Sequence, residues 1–165
     1  MNKNIGIRNP FGKTERIILG IIDGAMVPEP DLCIELTIPE SQVPFFKTHA
    51  GQPFPEHYVK AAAIELDNFA QILTEHGVKV DRPQRIDFSQ PITTSHWTVK
   101  NGLYAAMPRD LLITVGDSIV IAPMAWRCRY REVEAYNALL ETYEALGYQI
   151  LRAPKPELKD ELFKP

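Results

Sequence analysis

Cysteine is scarce in this chain. Cys33 and Cys128 are the only two among 165 residues, and neither belongs to a C-x-x-C pair or a Cys/His cluster. Two distant thiols cannot supply the bridge framework of a small secreted domain or the ligand spacing of a zinc site, so neither metal nor cofactor is expected. A reduced, cytoplasmic compartment is the corresponding expectation. Long hydrophobic runs are missing too. The run from Ile17 to Ile22 follows Glu15 and Arg16 and is closed by Asp23, far short of the roughly 20 residues that span a bilayer, so neither a membrane partner nor a signal peptide is expected. An excess of positive charge is absent: 18 Lys and Arg face 21 Asp and Glu, for a net charge of -3. The densest basic cluster, Arg127, Arg129 and Arg131, is interrupted by Cys128 and Tyr130 and makes no continuous basic face, which argues against nucleic acid as a partner. With 45% hydrophobic and 24% charged residues and no low-complexity run, the composition is that of one soluble globular domain.

The hydrophobic pattern outlines an α/β chain. Arg16 to Ile22 reads as a buried strand, an apolar run bounded by charge. Prolines at 28, 30, 39, 44, 53 and 55 then predict an irregular excursion from Asp23 to Pro55. A helix follows: Pro55 suits a first turn, Glu56 suits the positive end of the dipole, and Val59, Ala62, Leu66, Phe69 and Leu73 form one stripe. Gly77 is placed to end it in the left-handed conformation, and Val78 to Val80 predicts a strand stopped by Arg82 and Pro83. Gln84 to Ala106 reads as a second loop. Leu111 to Val115 and Ser118 to Ile121 predict a hairpin turned at Gly116-Asp117. A second helix is expected from about Trp126 to Leu146, on Tyr130, Val133, Tyr136, Leu140 and Tyr143, with a strand from Tyr148 to Leu151 after Gly147.

The two halves echo one another. EHGVKVDRP (75 to 83) and ALGYQILRAP (145 to 154) each place a helix-ending glycine before a short strand and an arginine, with Gly77 and Gly147 lying 70 positions apart. A repeat of ββαβ-like units accounts for this, as does the general similarity of any two βαβ units. A chain of two such units would leave sheet edges open to pairing with another chain or with itself.

Most of the candidate chemistry lies between Leu103 and Glu132, LYAAMPRDLLITVGDSIVIAPMAWRCRYRE. Asp110 sits where a proline-restrained loop enters a buried strand. A carboxylate there can face a cleft and grip a guanidinium through two hydrogen bonds. It can equally cap a turn or pair with Arg109 or another nearby arginine.

The strings MPRD, APMAWRCRYRE, APKPELKDELF and EHGVKVDRP resemble, in order and separation, the amidinotransferase family, and the likeness runs from about Arg16 to Phe163. Residues 1 to 15 depart from the family's Asn-Glu-Trp-Asp-like entry. The resemblance implies a pentein fold, five ββαβ modules around a pseudo-fivefold axis. About two of them are expected here within a single portion spanning residues 1–165, one at about 16–83 and the other at about 103–154. It implies transfer of an amidino group from arginine to an acceptor amine through a covalent amidino-cysteine, with Asp110 among the carboxylates that hold the guanidinium. Arginine or another guanidino compound is then the expected partner, together with the carboxy-terminal part of such an enzyme.

The family's nucleophile stands in a Gly-Gly-Gly-Phe-His-Cys context and its proton-moving histidine in His-x-Asp; neither string occurs here. Cys128 replaces the serine usual in relatives and is expected to pack, its thiol acidified somewhat by adjacent arginines. Cys33 lies in the proline-rich excursion. His57 and His76 are expected on a helix surface, and no residue of this chain is expected to be catalytic. The alternative is a non-catalytic pentein-like protein that binds a guanidino compound or a partner.

Overall fold

The computed structural model describes Asn9 and residues 11 to 163. Most of the stretch in which the sequence departs from the family pattern lies outside them. Strand β1 (Arg16–Ile18) pairs in parallel with β2 (Lys79–Asp81), and the 20-residue helix α3 (Glu56–Glu75) connects them. Two short helices, α1 (Leu32–Thr37) and α2 (Val43–His49), precede α3. Further along come the two-residue strands β3 (Ile92–Thr93) and β4 (Thr98–Val99), and one helical turn, α4 (Pro108–Leu111). A three-stranded sheet then forms from β5 (Leu112–Val115), β6 (Ser118–Ile121) and β7 (Gln149–Arg152), with α5 (Asn137–Ala145) between β6 and β7.

The two parallel pairs share one register. Arg16, Ile17 and Ile18 lie beside Lys79, Val80 and Asp81, and Ser118, Ile119 and Val120 lie beside Gln149, Ile150 and Leu151. The hydrogen bond that opens each pair is also equivalent: Lys79 N donates to Glu15 O and Gln149 N to Asp117 O, both at 2.9 Å. Both helices end in the same way. Val78 N donates to Leu73 O and Gly77 N to Thr74 O; Tyr148 N donates to Tyr143 O and Gly147 N to Glu144 O. These are paired Schellman bonds, and they require the positive φ of Gly77 (78°) and Gly147 (99°). The hairpin at Gly116-Asp117 forms as expected, with positive φ confined to Gly116, the pattern of a type II′ turn.

Three expectations are corrected. The segment from Asp23 to Pro55 is not an irregular excursion throughout, because Asp31 caps α1 through Ile34 N at 3.0 Å and Pro44 sits in the first turn of α2. Proline there starts a helix rather than breaking one. These helices bury Ile34 and Phe46 against Val27, Leu103 and Cys128. Secondly, Trp126 to Leu146 is not one helix. It consists of the tight turns Arg127–Arg129 and Glu132–Tyr136 followed by α5. Arg127, Cys128 and Arg129 are all buried, as are Glu132, Val133, Ala135 and Tyr136. Consecutive residues cannot all face inward from one α-helical stripe. Thirdly, the loop from Gln84 to Ala106 contains the β3–β4 hairpin, which Trp97 anchors against Ile92 and Leu158.

The first strand stops at Ile18, short of the expected Ile22, because the chain then crosses the segment before α4. Ile21 N donates to Ala105 O at 2.9 Å. A Cβ on Gly20 would lie 2.3 Å from Ala106 O, so only glycine permits this approach. The larger core combines Leu111, Leu112, Ile119, Ile121, Val133, Tyr136, Leu140 and Tyr143, with Ile18 packed against it. Polar contacts tie the halves together as well. Arg16 grips both oxygens of Asp81, with Nη2 to Oδ1 at 3.0 Å, and lies over the Tyr143 ring at 4.9 Å. The Tyr143 hydroxyl donates to Asp81 Oδ2 at 2.7 Å.

Burial alone would raise the Asp81 carboxyl; hydrogen bonds from Arg16 and Tyr143 outweigh it and hold the group below the usual carboxylate range. A depressed folded-state pKa contributes stability that is present above the unfolded value of about 3.9 and is lost as pH falls through the folded one. Urea titrations between neutral pH and strong acid should therefore show stability falling below about pH 4 in the parent chain. In Asp81→Asn the chain should be weaker at neutral pH and its acid limb flatter. An unchanged acid limb would mean that Asp81 is not a coupling group.

Candidate functional site

The site is built around the entrance to β5. Met107 precedes Pro108, whose fixed φ starts the single turn of α4, and Leu111 and Leu112 pull the turn's end into the core at 2% and 8% exposure. Asp110 is thereby left at the surface, its side chain 38% exposed. Its Oδ2 accepts from Arg129 Nη1 at 2.9 Å. Among the described residues no hydrogen bond to Oδ1 is formed. A carboxylate has about four acceptor positions, so this pairing leaves capacity on Oδ1.

Arg129 is the hub. Its Nε and Nη2 donate to Glu132 Oε2 and Oε1 at 2.5 and 3.1 Å, while Nη1 reaches Asp110. Glu132 has no solvent exposure and the Arg129 side chain has 8%. Burial alone would lower the Arg129 pKa, but the hydrogen bonds and charges of Glu132 and Asp110 outweigh it and keep it above its ordinary value. Burial pushes the Glu132 carboxyl upward, and Arg129 offsets only part of that. Tyr136 fixes the frame behind them: its hydroxyl donates to Ala105 O at 2.8 Å and Gln84 N donates to Ala135 O at 2.8 Å. Tyr104 lies in the same electrostatic neighbourhood, its phenol pushed up to about 12, first by burial.

The open alternatives for Asp110 are thus narrowed by geometry. The pairing with a nearby arginine is formed, with Arg129 rather than Arg109, and the Asp110 side chain stays partly exposed. Two of the three arginines of the basic cluster, Arg127 and Arg129, face inward, and Arg131 stays partly exposed. Arg127 donates from Nε to Leu158 O at 3.1 Å, pairs with Asp160 at 2.7 Å and lies over the Trp97 ring at 5.2 Å. Arg131 pairs with Glu134 at 2.6 Å. Sequence reasoning missed Arg129 and Glu132 as a pair, although their spacing of three and the adjacent apolar residues carried the signal.

The expected acidification of Cys128 is overturned. Its thiol is 3% exposed and burial, with Asp31 next, drives the pKa upward despite Arg129. Burial also raises the Cys33 thiol, followed by the charge of Asp31. His57 lies exposed on α3 and His76 caps its end, Nδ1 lying 2.8 Å from Ile72 O. Among the described residues no group of three His, Cys, Asp or Glu side chains is placed to hold a metal, and no helix is long and apolar enough to cross a membrane. An open cleft lined by Glu29, Asp31, Lys47, Val99 and Arg127 does not include Asp110.

No family model matches the chain. Among curated proteins it is 44% identical over 149 residues to the L-arginine:L-lysine amidinotransferase of Pseudomonas savastanoi pv. phaseolicola, covering 90% of this chain and 41% of that protein. It is 39% identical over 155 residues to the mitochondrial glycine amidinotransferase of Xenopus tropicalis, covering 94% of this chain and 36% of that protein. Among solved structures it superposes on SxtG, an amidinotransferase of the saxitoxin biosynthetic pathway from Microseira wollei, with a TM-score of 0.86 at 36% identity over 94% of this chain and 45% of that one. The inosamine-phosphate amidinotransferase of Streptomyces griseus follows with a TM-score of 0.82 at 34% identity, covering 96% and 45% of the two chains.

Removing one member of a buried ion pair strands the other, which costs about 3–5 kcal/mol, whereas replacing both with apolar side chains is often near neutral. Arg129→Met should therefore destabilise the chain by about that amount in chemical denaturation. Arg129→Met combined with Glu132→Leu should recover most of the loss. Equal instability of the single and double variants would show that Glu132 does not depend on Arg129.

Proposed function

Because this chain belongs to the amidinotransferase family and spans less than half the length of these relatives, we propose that it is the amino-terminal portion of an arginine-dependent amidinotransferase. Its part in the reaction is to hold the guanidinium. The observation that supports this is the state of Asp110 on the MPRD motif: a partly exposed carboxylate whose Oδ2 is held by a buried guanidinium and whose Oδ1 has no hydrogen bond among the described residues. A substrate guanidinium would take Oδ1 by charge-assisted hydrogen bonding.

In this reading a cysteine thiolate supplied by polypeptide beyond these 165 residues attacks the guanidino carbon. The donor amine leaves, and the resulting amidino-cysteine passes its amidino group to the acceptor amine while a histidine, also supplied from elsewhere, moves the protons. The arrangement proposed is pentein-like, with modules at about 16–83 and 103–154. The shared register of β1–β2 and β6–β7 and the matching Schellman ends support it. The relatives are named for lysine, glycine and inosamine-phosphate chemistry, so acceptor choice is assigned to the remainder of the protein.

The test is arginine amidinotransfer by the chain co-expressed with the part of the Pseudomonas savastanoi relative that lies outside the match. Asp110→Asn should lower kcat/KM for arginine by roughly 30- to 1,000-fold, the scale of removing one member of a desolvated charge pair. The chain alone should show no turnover. Unaided turnover at an enzymatic rate, or an unaffected Asp110→Asn complex, would overturn the proposal.

A further inference from the structure

A segment outside the Asp110 cluster holds the turn that carries Arg129. The turn Arg127–Arg129 winds on two backbone bonds, Arg129 N to Trp126 O at 3.0 Å and Tyr130 N to Arg127 O at 3.1 Å. Tight turns of this kind have poorer hydrogen-bond geometry than an α-helix and do not propagate, so the shape of this one depends on what its side chains meet. At three residues per turn, side chains two apart leave on different sides. Arg129 reaches Glu132 and Asp110. Arg127 reaches residues 158 and 160.

Residues 155 to 160 grip the turn on that second side. Leu158 O accepts from Arg127 Nη2 and from Nε at 3.1 Å, and Asp160 takes Nη1 at 2.7 Å. Glu157 O accepts from Trp97 Nε1 at 2.8 Å, and the Trp97 ring lies 5.2 Å from the Arg127 guanidinium. Lys155 Nζ donates to Tyr130 O at 2.7 Å, at the residue that ends the turn. Arg127 is 8% exposed and Trp97 6%, so their bonds form away from solvent. The backbone is bent to make them. Leu158, at a φ of 50°, is the one residue other than glycine with positive φ among the described residues. Leucine keeps that conformation only where its surroundings over-determine it. Here the side chain is buried against Ile92 and Trp97 while the carbonyl is presented to Arg127.

We propose that residues 155–160 are a clasp for the guanidinium site and that Arg127 is its positioning residue. By anchoring the turn on the clasp side, Arg127 fixes the direction in which Arg129 leaves the backbone, and Arg129 fixes Asp110. The path is contiguous, from Leu158 and Asp160 through Arg127 and Arg129 to Asp110. Its consequence for arginine rests on the proposed function above; the mechanical link between clasp and turn does not.

The test follows hydrogen exchange of the Arg129 Nε–H by nuclear magnetic resonance in this chain without arginine. Arg127→Met should speed that exchange by roughly tenfold or more as local opening becomes easier. In the same molecule the Arg16 Nε–H, held by Asp81, should exchange as in the parent. Lys159→Met, on the same segment but paired with Glu157 at 2.6 Å, should alter neither proton. Trp97→Phe frees Glu157 O and keeps a ring beside Arg127; it should speed Arg129 exchange by roughly threefold, the scale of one hydrogen bond. That variant decides the matter if Arg127→Met does not fold. In the co-expressed enzyme either variant should raise KM for arginine by roughly three- to tenfold and leave kcat within about twofold. Unchanged Arg129 exchange in both variants, or acceleration shared equally by Arg16 in both, would overturn the clasp. A KM unmoved by Arg127→Met, where Asp110→Asn lowers kcat/KM, would overturn the positioning role. Indifference of kcat/KM to Asp110→Asn would count instead against the guanidinium reading and leave the exchange result standing.

Discussion

The guanidinium of Arg129 is the constraint around which this chain is organised. A buried arginine cannot shed its charge and must find acceptors for a planar fork of donors. Glu132 takes two of them and Asp110 a third. Meeting that demand requires Arg129 and Glu132 to face inward from a stretch in which Cys128 and Val133 also face inward. A regular helix cannot do so, and the backbone resolves the conflict by winding Arg127–Arg129 and Glu132–Tyr136 as tight turns before α5 begins. The same demand seals the Cys128 thiol beneath the turn. One electrostatic requirement thus sets the local backbone and the pairing of Asp110.

A second polar knot, Arg16–Asp81–Tyr143, joins the two halves, and its logic differs. The Asp81 side chain is 10% exposed and that of Arg16 24%, so less hydration is lost than around Glu132. The contact also adds the ring of Tyr143 beneath the guanidinium. Buried ion pairs contribute little to stability beyond what apolar replacements give, but they penalise wrong arrangements heavily. In this chain both knots join segments distant in sequence: residues 16, 81 and 143 in one, 110 and 129 in the other. Their effect is to fix how the halves meet, while the apolar cluster of Leu112, Ile119, Tyr136 and Leu140 supplies the bulk of the driving force.

What could be read from the sequence follows from which physical effects are local. Gly77, Gly147 and Gly116 act within a few residues, and each was placed correctly because a positive φ is a property of the residue itself. The extent of α3 is legible because its start and end signals are local too, but its stripe is only partly covered, with Phe69 46% exposed. The prolines from 28 to 44 misled because proline disfavours a helix interior yet suits its first turn, and only the cap at Asp31 and the burial of Ile34 and Phe46 decide between the two. Tyr130 seemed to continue the stripe of Val133, Tyr136, Leu140 and Tyr143. It belongs instead with Trp97, its ring 5.3 Å away, in a cluster that depends on a contact no periodicity encodes. Asp110 stands out in the sequence but its partner does not, since Arg109, Arg127, Arg129 and Arg131 are equivalent until the fold selects one.

The division between what this chain supplies and what it needs has a physical rationale. A substrate-holding carboxylate contributes most when its direction is fixed before the substrate arrives, so that no ordering cost falls on binding. Arg129 fixes Asp110 using only groups within this chain, and Glu132 keeps that arginine from acting as a net positive neighbour. In the proposed function the guanidinium wall is therefore complete before the polypeptide carrying the nucleophile docks. A single, partly exposed carboxylate remains screened by solvent, however, and the same charge becomes far more effective once a second surface excludes water from it.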